Sequence, residues 1–182
     1  DEAAFYGPKL DIQYINVYGK EDTLVTLQID MLLAKQFGME YVDADGQKKT
    51  PYIIHRTSMG CYERTLAYLI EEYAGALPTW MAPEQVRILT ITDRANDYAY
   101  SLREKLQALG CRVEVDERNE KIGKKIREAQ MEKVPYMLVV GDRDVESGTV
   151  SVRHRAEGDL GAMSYEQFAA LFTDVVANKL KK

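Results

Sequence analysis

The chain has 182 residues, of which 46% are hydrophobic, and its 24 Lys and Arg against 29 Asp and Glu give a formal net charge of −5. This length and composition suit one ordinary domain or two small ones with packed cores, and they exclude a disordered chain. Because the balance is acidic, any nucleic acid must be bound by a local basic patch and not by overall charge.

The cysteines and the start of the chain bear on the cellular setting. Cys61 and Cys111 lie far apart and form no Cys-x-x-Cys pattern, so we expect free thiols in a reducing cytoplasm and derive no metal site from their spacing. The sequence opens DEAAFYGPK without Met or a signal-peptide pattern, and no apolar run approaches the roughly 20 residues that span a bilayer. We expect a soluble piece of a longer protein.

The first part of the chain alternates apolar and polar residues, which is typical of antiparallel strands. Strands are predicted over residues 10–14, 25–31, 41–42 and 52–55. The last two are expected to form a hairpin around the Asp45-Gly46 turn. Apolar residues at spacings of three and four then predict a helix that ends near Gly75.

The segment LPTWMAP at 77–83 contains two prolines and breaks the helical period, so we place a boundary there between domains 1–80 and 81–182. Beyond it, strands are predicted at 86–92, 112–116, 135–140 and 149–155. Helical patterns lie between these strands and at the end of the chain. The alternation predicts an α/β domain with a mixed, mostly parallel sheet and helices on its faces.

Two short stretches in the first domain carry candidate ligand-binding residues. In IHRTSMGCYER, Gly60 could let the backbone approach a ligand, and Arg64 in the first helical turns could bind a phosphate bidentately. In AAFYGPK, Tyr6 and Lys9 flank a rigid Gly-Pro turn. The simpler alternatives are a turn glycine, a solvated arginine, a core tyrosine and a surface lysine.

Taken together, several stretches resemble one family. They are DEAAFYGPK, the Gln28-Ile29-Asp30 strand, IHRTSMGCYER, LIEEYAGALPTWMAP and DERNEKIGKKIREAQMEKVPYMLVVGDRDVESGTVSVR. They resemble the threonyl-tRNA synthetase family of class II aminoacyl-tRNA synthetases, over essentially the whole chain. The resemblance implies the end of the class II catalytic core, an antiparallel sheet with the motif 3 helix, followed by an anticodon-binding domain. Members activate threonine with ATP and Mg²⁺, transfer it to threonine tRNA, and work as cytoplasmic homodimers.

The resemblance also implies roles for residues of the first domain. Arg64 matches the motif 3 arginine that holds the ATP γ-phosphate and stabilises the leaving pyrophosphate. His55 matches the last of three Zn²⁺ ligands, although a histidine at a strand end is otherwise more simply structural. Tyr6, Lys9 and Gln28 match positions that line the threonine and adenylate pocket. Motifs 1 and 2 and the other zinc ligands belong upstream in the family, so we expect this chain alone not to aminoacylate.

In the second domain, the resemblance implies a small set of anticodon contacts. The matching residues are Asn119, Lys121, Arg127, Asp144 and Arg153. Asn119 is expected to cap the helix that follows it, and Arg153 to project from the outward face of the last strand towards an unstacked base. The alternative is an ordinary amphipathic helix whose charged face includes Lys124 and Lys125.

Two other functions stay open from the sequence. Asp22, Thr23 and Ala34 stand where the family usually has other residues, as does Thr65, which would suit a non-catalytic tRNA-binding paralogue or accessory module. A small-molecule-binding α/β protein without an RNA partner is the third hypothesis. Absent or salt-insensitive tRNA binding would support it.

Overall fold

The computed structural model describes residues 4–57 and 59–179, and the chain divides into two compact units, Asp1–Glu72 and Tyr73–Lys182. This division falls a little before the domain boundary near residue 80, which stays a prediction. Within the described residues, no helix combines the length and the apolar character needed to cross a membrane.

The first unit is built on a three-stranded antiparallel sheet. Its elements are β1 (Lys9–Ile15), β2 (Glu21–Asp30), α1 (Leu33–Gln36), β3 (Tyr41–Val42), β4 (Lys48–Lys49), β5 (Ile53–Arg56) and α2 (Tyr62–Glu72). The sheet order is β1-β2-β5, and β3 pairs only with β4 in a separate small hairpin. The predicted hairpin between 41–42 and 52–55 is therefore wrong. The turn closes too early for it, because the Asp43 N–H already donates to the Gln47 carbonyl at 2.9 Å.

The second unit contains the predicted mixed sheet. Its elements are β6 (Val86–Thr90), a 3-10 turn (Asp93–Ala95), α3 (Asn96–Ala108), β7 (Val113–Asp116), α4 (Ile122–Met131), β8 (Tyr136–Val140), α5 (Asp142–Ser147), β9 (Thr149–His154), β10 (Gly158–Ser164) and α6 (Tyr165–Ala177). The order is β10-β9-β8-β6-β7, in which β7, β6 and β8 run parallel and β9 and β10 antiparallel. Sequence analysis missed β10, so β9 is not the last strand.

Apolar layers cover both faces of this second sheet. On one face, Ile88 and Leu138 pack in a core with residues of α3 and α6. On the other face, Met137 and Val139 pack in a smaller core with residues of α4. Paired residues on neighbouring strands point to the same face, so Arg153, which pairs with Met137, lies on the α4 side. The buried run at 135–140 agrees with the prediction.

Lys125 is an exception to the expected charged helix face. Its side chain is only 2% exposed, and its Nζ donates to the carbonyls of Thr90 and Asp116, both at 2.9 Å. These carbonyls end β6 and β7, so the amine joins the carboxyl ends of two parallel strands. Burial lowers the pKa of Lys125. The alternative of an ordinary charged helix face therefore does not hold at Lys125, because helical spacing alone does not reveal a buried partner.

The segment between α2 and β6 is held to the second unit by cationic side chains. Arg155 donates to the carbonyls of Ala76, at 2.8 Å, and Leu77. Arg112 donates to the carbonyl of Ala82 at 2.9 Å. Main-chain carbonyls that would otherwise need water are thereby satisfied within the unit.

Both cysteines are free, as expected, with Cys61 exposed and Cys111 buried. Burial raises the pKa of the Cys111 thiol to about 12, so this side chain is an inert part of the core at neutral pH.

Candidate substrate site and candidate nucleic-acid interface

Three predicted site residues form one row across the first sheet. In the strand register, Lys9 of β1 pairs with Gln28 of β2, and Gln28 pairs with His55 of β5. Directly paired residues point to the same face of a sheet. The structure therefore brings an amine, an amide and an imidazole together on one face. Tyr6 reaches the same row, because its hydroxyl lies 3.5 Å from Gln28 Oε1.

The turn before β1 positions Tyr6, and it depends on Gly7. A Cβ at Gly7 would lie 1.7 Å from the carbonyl oxygen of Ile29, so only glycine lets this turn lie against β2. The N–H of Ile29 donates to the Pro8 carbonyl at 3.0 Å, and the N–H of Met31 donates to the Tyr6 carbonyl at 2.9 Å. The pairing with β2 thus continues past β1 and fixes Tyr6 beside the row.

Gln28 has an unused hydrogen-bond donor. Its Nε2 is buried and has no acceptor among the described residues. An unpaired buried N–H is costly, and a ligand oxygen would satisfy it. Next to it, Lys9 forms an ion pair with Asp11 at 2.7 Å, and Lys9 and the Thr26 hydroxyl hold the pKa of Asp11 below its usual range.

His55 lies against a buried carboxylate. Its side chain is 49% exposed and its Nε2 is 3.2 Å from Oδ2 of Asp30, whose side chain is only 6% exposed. The other oxygen of Asp30 accepts from the N–H groups of Leu32 and Leu33, at 2.9 and 2.8 Å. These donors, the Leu33 N–H first, together with the imidazole keep the pKa of Asp30 below its ordinary value.

This donor set suits a metal-ligating histidine. Ligating histidines ordinarily hydrogen-bond a carboxylate or carbonyl through the ring nitrogen that does not face the metal. The residues therefore fit the implied Zn²⁺, for which His55 can supply one ligand. The part of the chain that the structure describes contains no group of three or more His, Cys, Asp or Glu residues able to hold an ion.

Arg64 lies towards the other end of β2 and is not part of the row. It is exposed in the first turn of α2, and its Nη1 donates to the Thr23 carbonyl at 3.0 Å. Thr23 and Gln28 are about 16 Å apart along the strand at the usual rise per residue. Gly60 makes the approach possible, since it has a φ of 64° and a Cβ there would lie 2.5 Å from the Leu24 carbonyl oxygen.

In the second unit, three predicted contact residues lie on or just before α4. Asn119, Lys121 and Arg127 are all exposed. The N-cap residue, directly before α4, is Lys121 and it makes no side-chain cap bond, so the expected capping by Asn119 is wrong. The helix starts later because the N–H groups of Lys124 and Lys125 both donate to the Lys121 carbonyl.

Sequence analysis missed the residue that holds this loop. Arg118 donates to both carboxylate oxygens of Asp116, at 2.9 and 2.6 Å, and to Glu128 of α4 at 2.7 Å. This fork, which also lowers the pKa of Asp116, ties the end of β7 to α4. The only sequence signal was an Asp-x-Arg pattern after a predicted strand.

The last two predicted contacts lie near β9. Asp144 accepts from the Gly141 N–H at 3.0 Å and from the Ser151 hydroxyl at 3.2 Å. Ser151 and Arg153 lie two residues apart and share a face of β9. Nη1 of Arg153 is 3.0 Å from Asp159, while its Nε is buried with no acceptor among residues 4–57 and 59–179. Arg153 therefore has an internal partner and a remaining donor.

Comparison with known families divides the sequence in two. Residues 1–73 match the family described as the tRNA synthetase class II core domain (G, H, P, S and T). Residues 85–174 match the family described as the anticodon binding domain.

Individual relatives match nearly the whole chain. The threonine-tRNA ligase of Clostridium perfringens is 59% identical over 98% of this chain, and that of Geobacillus kaustophilus is 51% identical over the same share. The chain spans 28% of the length of each of these relatives.

The fold of the chain is also similar to that of a solved structure. The crystal structure of the RNA binding domain of threonyl-tRNA synthetase from Cryptosporidium parvum is 33% identical, with a TM-score of 0.84, and the match covers 95% of this chain and 44% of that one. The chain therefore belongs to the threonyl-tRNA synthetase family, as a part of a class II synthetase core joined to an anticodon-binding domain.

Proposed function

We propose that this chain contributes part of the threonine- and ATP-binding site and the anticodon-binding domain of a threonine-tRNA ligase. The observation that carries the proposal is the row of Lys9, Gln28 and His55, in which Gln28 has a buried donor without an acceptor among the described residues. A row of polar side chains on one sheet face suits a small, polar, oxygen-rich substrate. The family match over both units supports this function over a non-catalytic paralogue.

In this proposal, Tyr6, Lys9 and Gln28 bind threonine and its adenylate, and Arg64 binds the γ-phosphate of Mg-ATP. Arg64 suits a phosphate because its guanidinium is exposed at the start of a helix, where the helix dipole also favours negative charge. Its position towards the far end of β2 suits a substrate that extends along the strand. Catalysis would come from positioning and charge stabilisation, with no general base among the described residues.

His55 would hold Zn²⁺ together with ligands from outside the described residues. When bound, zinc supplies a Lewis acid that can coordinate both the amino and hydroxyl groups of threonine, which valine cannot match. The contribution of this chain is one imidazole in a fixed orientation. The homodimer and the cytoplasmic location are likewise proposals from the family.

The second unit would read the anticodon of threonine tRNA with Asn119, Lys121, Arg127, Asp144 and Arg153. Single-stranded loop bases are recognised through hydrogen bonds to their edges, and phosphates through cations. The buried Nε of Arg153, which lacks an acceptor among the described residues, is a donor that a base could satisfy.

A binding titration tests the RNA function. The chain is titrated with a tRNA transcript that has a threonine anticodon, and with the same transcript after the discriminating anticodon bases are changed, at two salt concentrations. We expect preference for the threonine anticodon, weaker binding at higher salt, and about a tenfold loss with Asn119→Ala or Arg153→Ala.

Lys105→Ala is the matched control, because Lys105 lies on α3, which packs on the opposite face of the sheet from α4. It should change affinity by less than about twofold. Equal affinity for both transcripts, or an equal loss in all three variants, would contradict anticodon recognition by this surface.

A further inference from the structure

We propose that Asp30 is a positioning residue that holds neutral His55 with its proton on Nε2 and so presents the lone pair of Nδ1 for metal binding. The inference rests on the proposed function in one respect, the assignment of a metal to His55. It goes further by naming the residue that selects the ligating nitrogen. Neither the strand register nor the family match requires this pairing.

Hydrogen bonds and burial hold the carboxylate of Asp30 in one orientation. Asp30 is the last residue of β2 and pairs with Ile53, so it lies diagonally across from His55 on the same face. Oδ1 accepts from the N–H groups of Leu32 and Leu33, which leaves Oδ2 directed at the imidazole. Since the residue is only 4% exposed, water cannot readily replace the histidine as the partner of Oδ2.

The chemistry of the pair selects one tautomer. An ionised carboxylate can only accept hydrogen bonds, so the nitrogen that faces it must donate. The proton of a neutral His55 then resides on Nε2, and Nδ1 keeps its lone pair. Ligating histidines ordinarily have such an outer carboxylate or carbonyl partner, which fixes the tautomer and the orientation of the ring.

The histidine composition of the chain allows a direct measurement. There are only two histidines, His55 and His154. Long-range proton-nitrogen NMR spectra of the ¹⁵N-labelled chain, recorded well above the ordinary histidine pKa, distinguish the two tautomers at each residue. His154 is an internal reference, because its Nδ1 accepts from the Glu157 N–H at 3.3 Å, which requires the proton on Nε2.

Asp30→Asn is the deciding variant. Asparagine keeps one oxygen for the N–H groups of Leu32 and Leu33 and places an amide donor opposite Nε2. That nitrogen must then accept, so we expect the His55 proton to move to Nδ1 and the tautomer ratio to change by about tenfold or more. The variant is needed because free histidine already favours the Nε2–H form. Asp11→Asn is the control. It changes an acid on the same sheet face that forms an ion pair with Lys9, and it should leave the tautomer ratio of His55 unchanged.

A zinc chloride titration of the same samples tests the metal-binding nitrogen. Zn²⁺ is expected to shift the Nδ1 resonance of His55 in the unmodified chain and not that of His154, and to bind more weakly in Asp30→Asn. A proton on Nδ1 in the unmodified chain, an unchanged tautomer in Asp30→Asn, or no zinc-dependent shift of Nδ1 would overturn the proposal. None of these readouts uses tRNA or aminoacylation. The role of Asp30 can therefore be disproved while the proposed function stands, and the proposed function can be disproved while the role of Asp30 stands.

Discussion

At the scale of single residues, the positions that depart from the usual family pattern have local structural roles. Asp22 accepts from the Asn16 side chain at 2.7 Å, and the Thr65 hydroxyl donates to the Met59 carbonyl at 2.6 Å. The Thr23 carbonyl accepts from Arg64, and Ala34 is fully buried in α1. These residues belong to a consistent local structure and do not by themselves indicate a degenerate site.

Arg153, a proposed anticodon contact, is restrained by an ion pair within its own domain. Its ion pair with Asp159 joins β9 to β10, and the Asp159 side chain is 62% exposed. Asp159→Asn removes the competing charge and leaves the hydrogen bond possible. We expect this variant to bind threonine tRNA about two- to fivefold more tightly in the tRNA titration described above. This factor corresponds to the free energy of an exposed ion pair.

Asp174→Asn on α6 provides the control for that variant, since it changes net charge equally on the opposite face of the sheet. If both variants tighten binding to the same extent, the effect is one of overall charge, and Asp159 does not restrain Arg153.

At the scale of elements, a buried lysine links one helix to the ends of two strands. Lys125 of α4 is buried on the carbonyls that end β6 and β7. Lys125→Met keeps the length of the side chain but removes the donor from both buried carbonyls, so that the Asp116 carbonyl retains the longer bond from the Thr90 hydroxyl, at 3.3 Å. We expect a loss of about 1–3 kcal/mol in the free energy of unfolding, measured by urea denaturation.

Lys124→Met is the neighbouring control. Lys124 is exposed and forms only a surface ion pair with Glu120, so its loss should cost about 0.5 kcal/mol or less. Equal effects of the two substitutions would show that the bonds of Lys125 contribute nothing specific.

The elements also show what could be predicted from the sequence. Periodic strands and helices of the mixed sheet were predictable because their apolar residues repeat regularly. β10 was not, because Gly158 and Gly161 both have positive φ and a register shift between Asp159 and Gly161 interrupts its alternation.

The candidate site, too, could be predicted only in part from the sequence. Its residue types follow from motifs, whereas the row of Lys9, Gln28 and His55 depends on strand register, which the sequence leaves open. The contact between Asp30 and His55 joins residues 25 positions apart and has no local signature. Lys125 looked like an exposed residue because its partners are carbonyls, which every residue possesses.

At the scale of the whole molecule, the first sheet has two chemically opposite faces. One carries the polar row, and the other carries apolar side chains paired across strands, including Leu10 with Leu27 and Ile29 with Ile54. Leu10 and Ile54 are 61% and 67% exposed. Contiguous exposed apolar surface favours association.

We therefore expect the chain to self-associate with increasing concentration in sedimentation velocity experiments, and Ile54→Lys to raise the concentration required by several-fold. Met131→Lys alters a similarly exposed residue of α4 and should leave association unchanged. A chain that stays monomeric at every concentration would contradict a role for this face.

The segment held by Arg155 and Arg112 has a consequence for how the anticodon-binding domain can be inherited or transplanted. The carbonyls of Ala76, Leu77 and Ala82 are the acceptors of these guanidinium groups. A cut at the prolines would leave Nη2 of Arg155 without both of these acceptors, while Nη1 would keep the Lys133 carbonyl, at 2.8 Å. A recombined or grafted domain should therefore begin at Tyr73, where the second unit starts, and include a stretch of chain that contributes no strand or helix of its own.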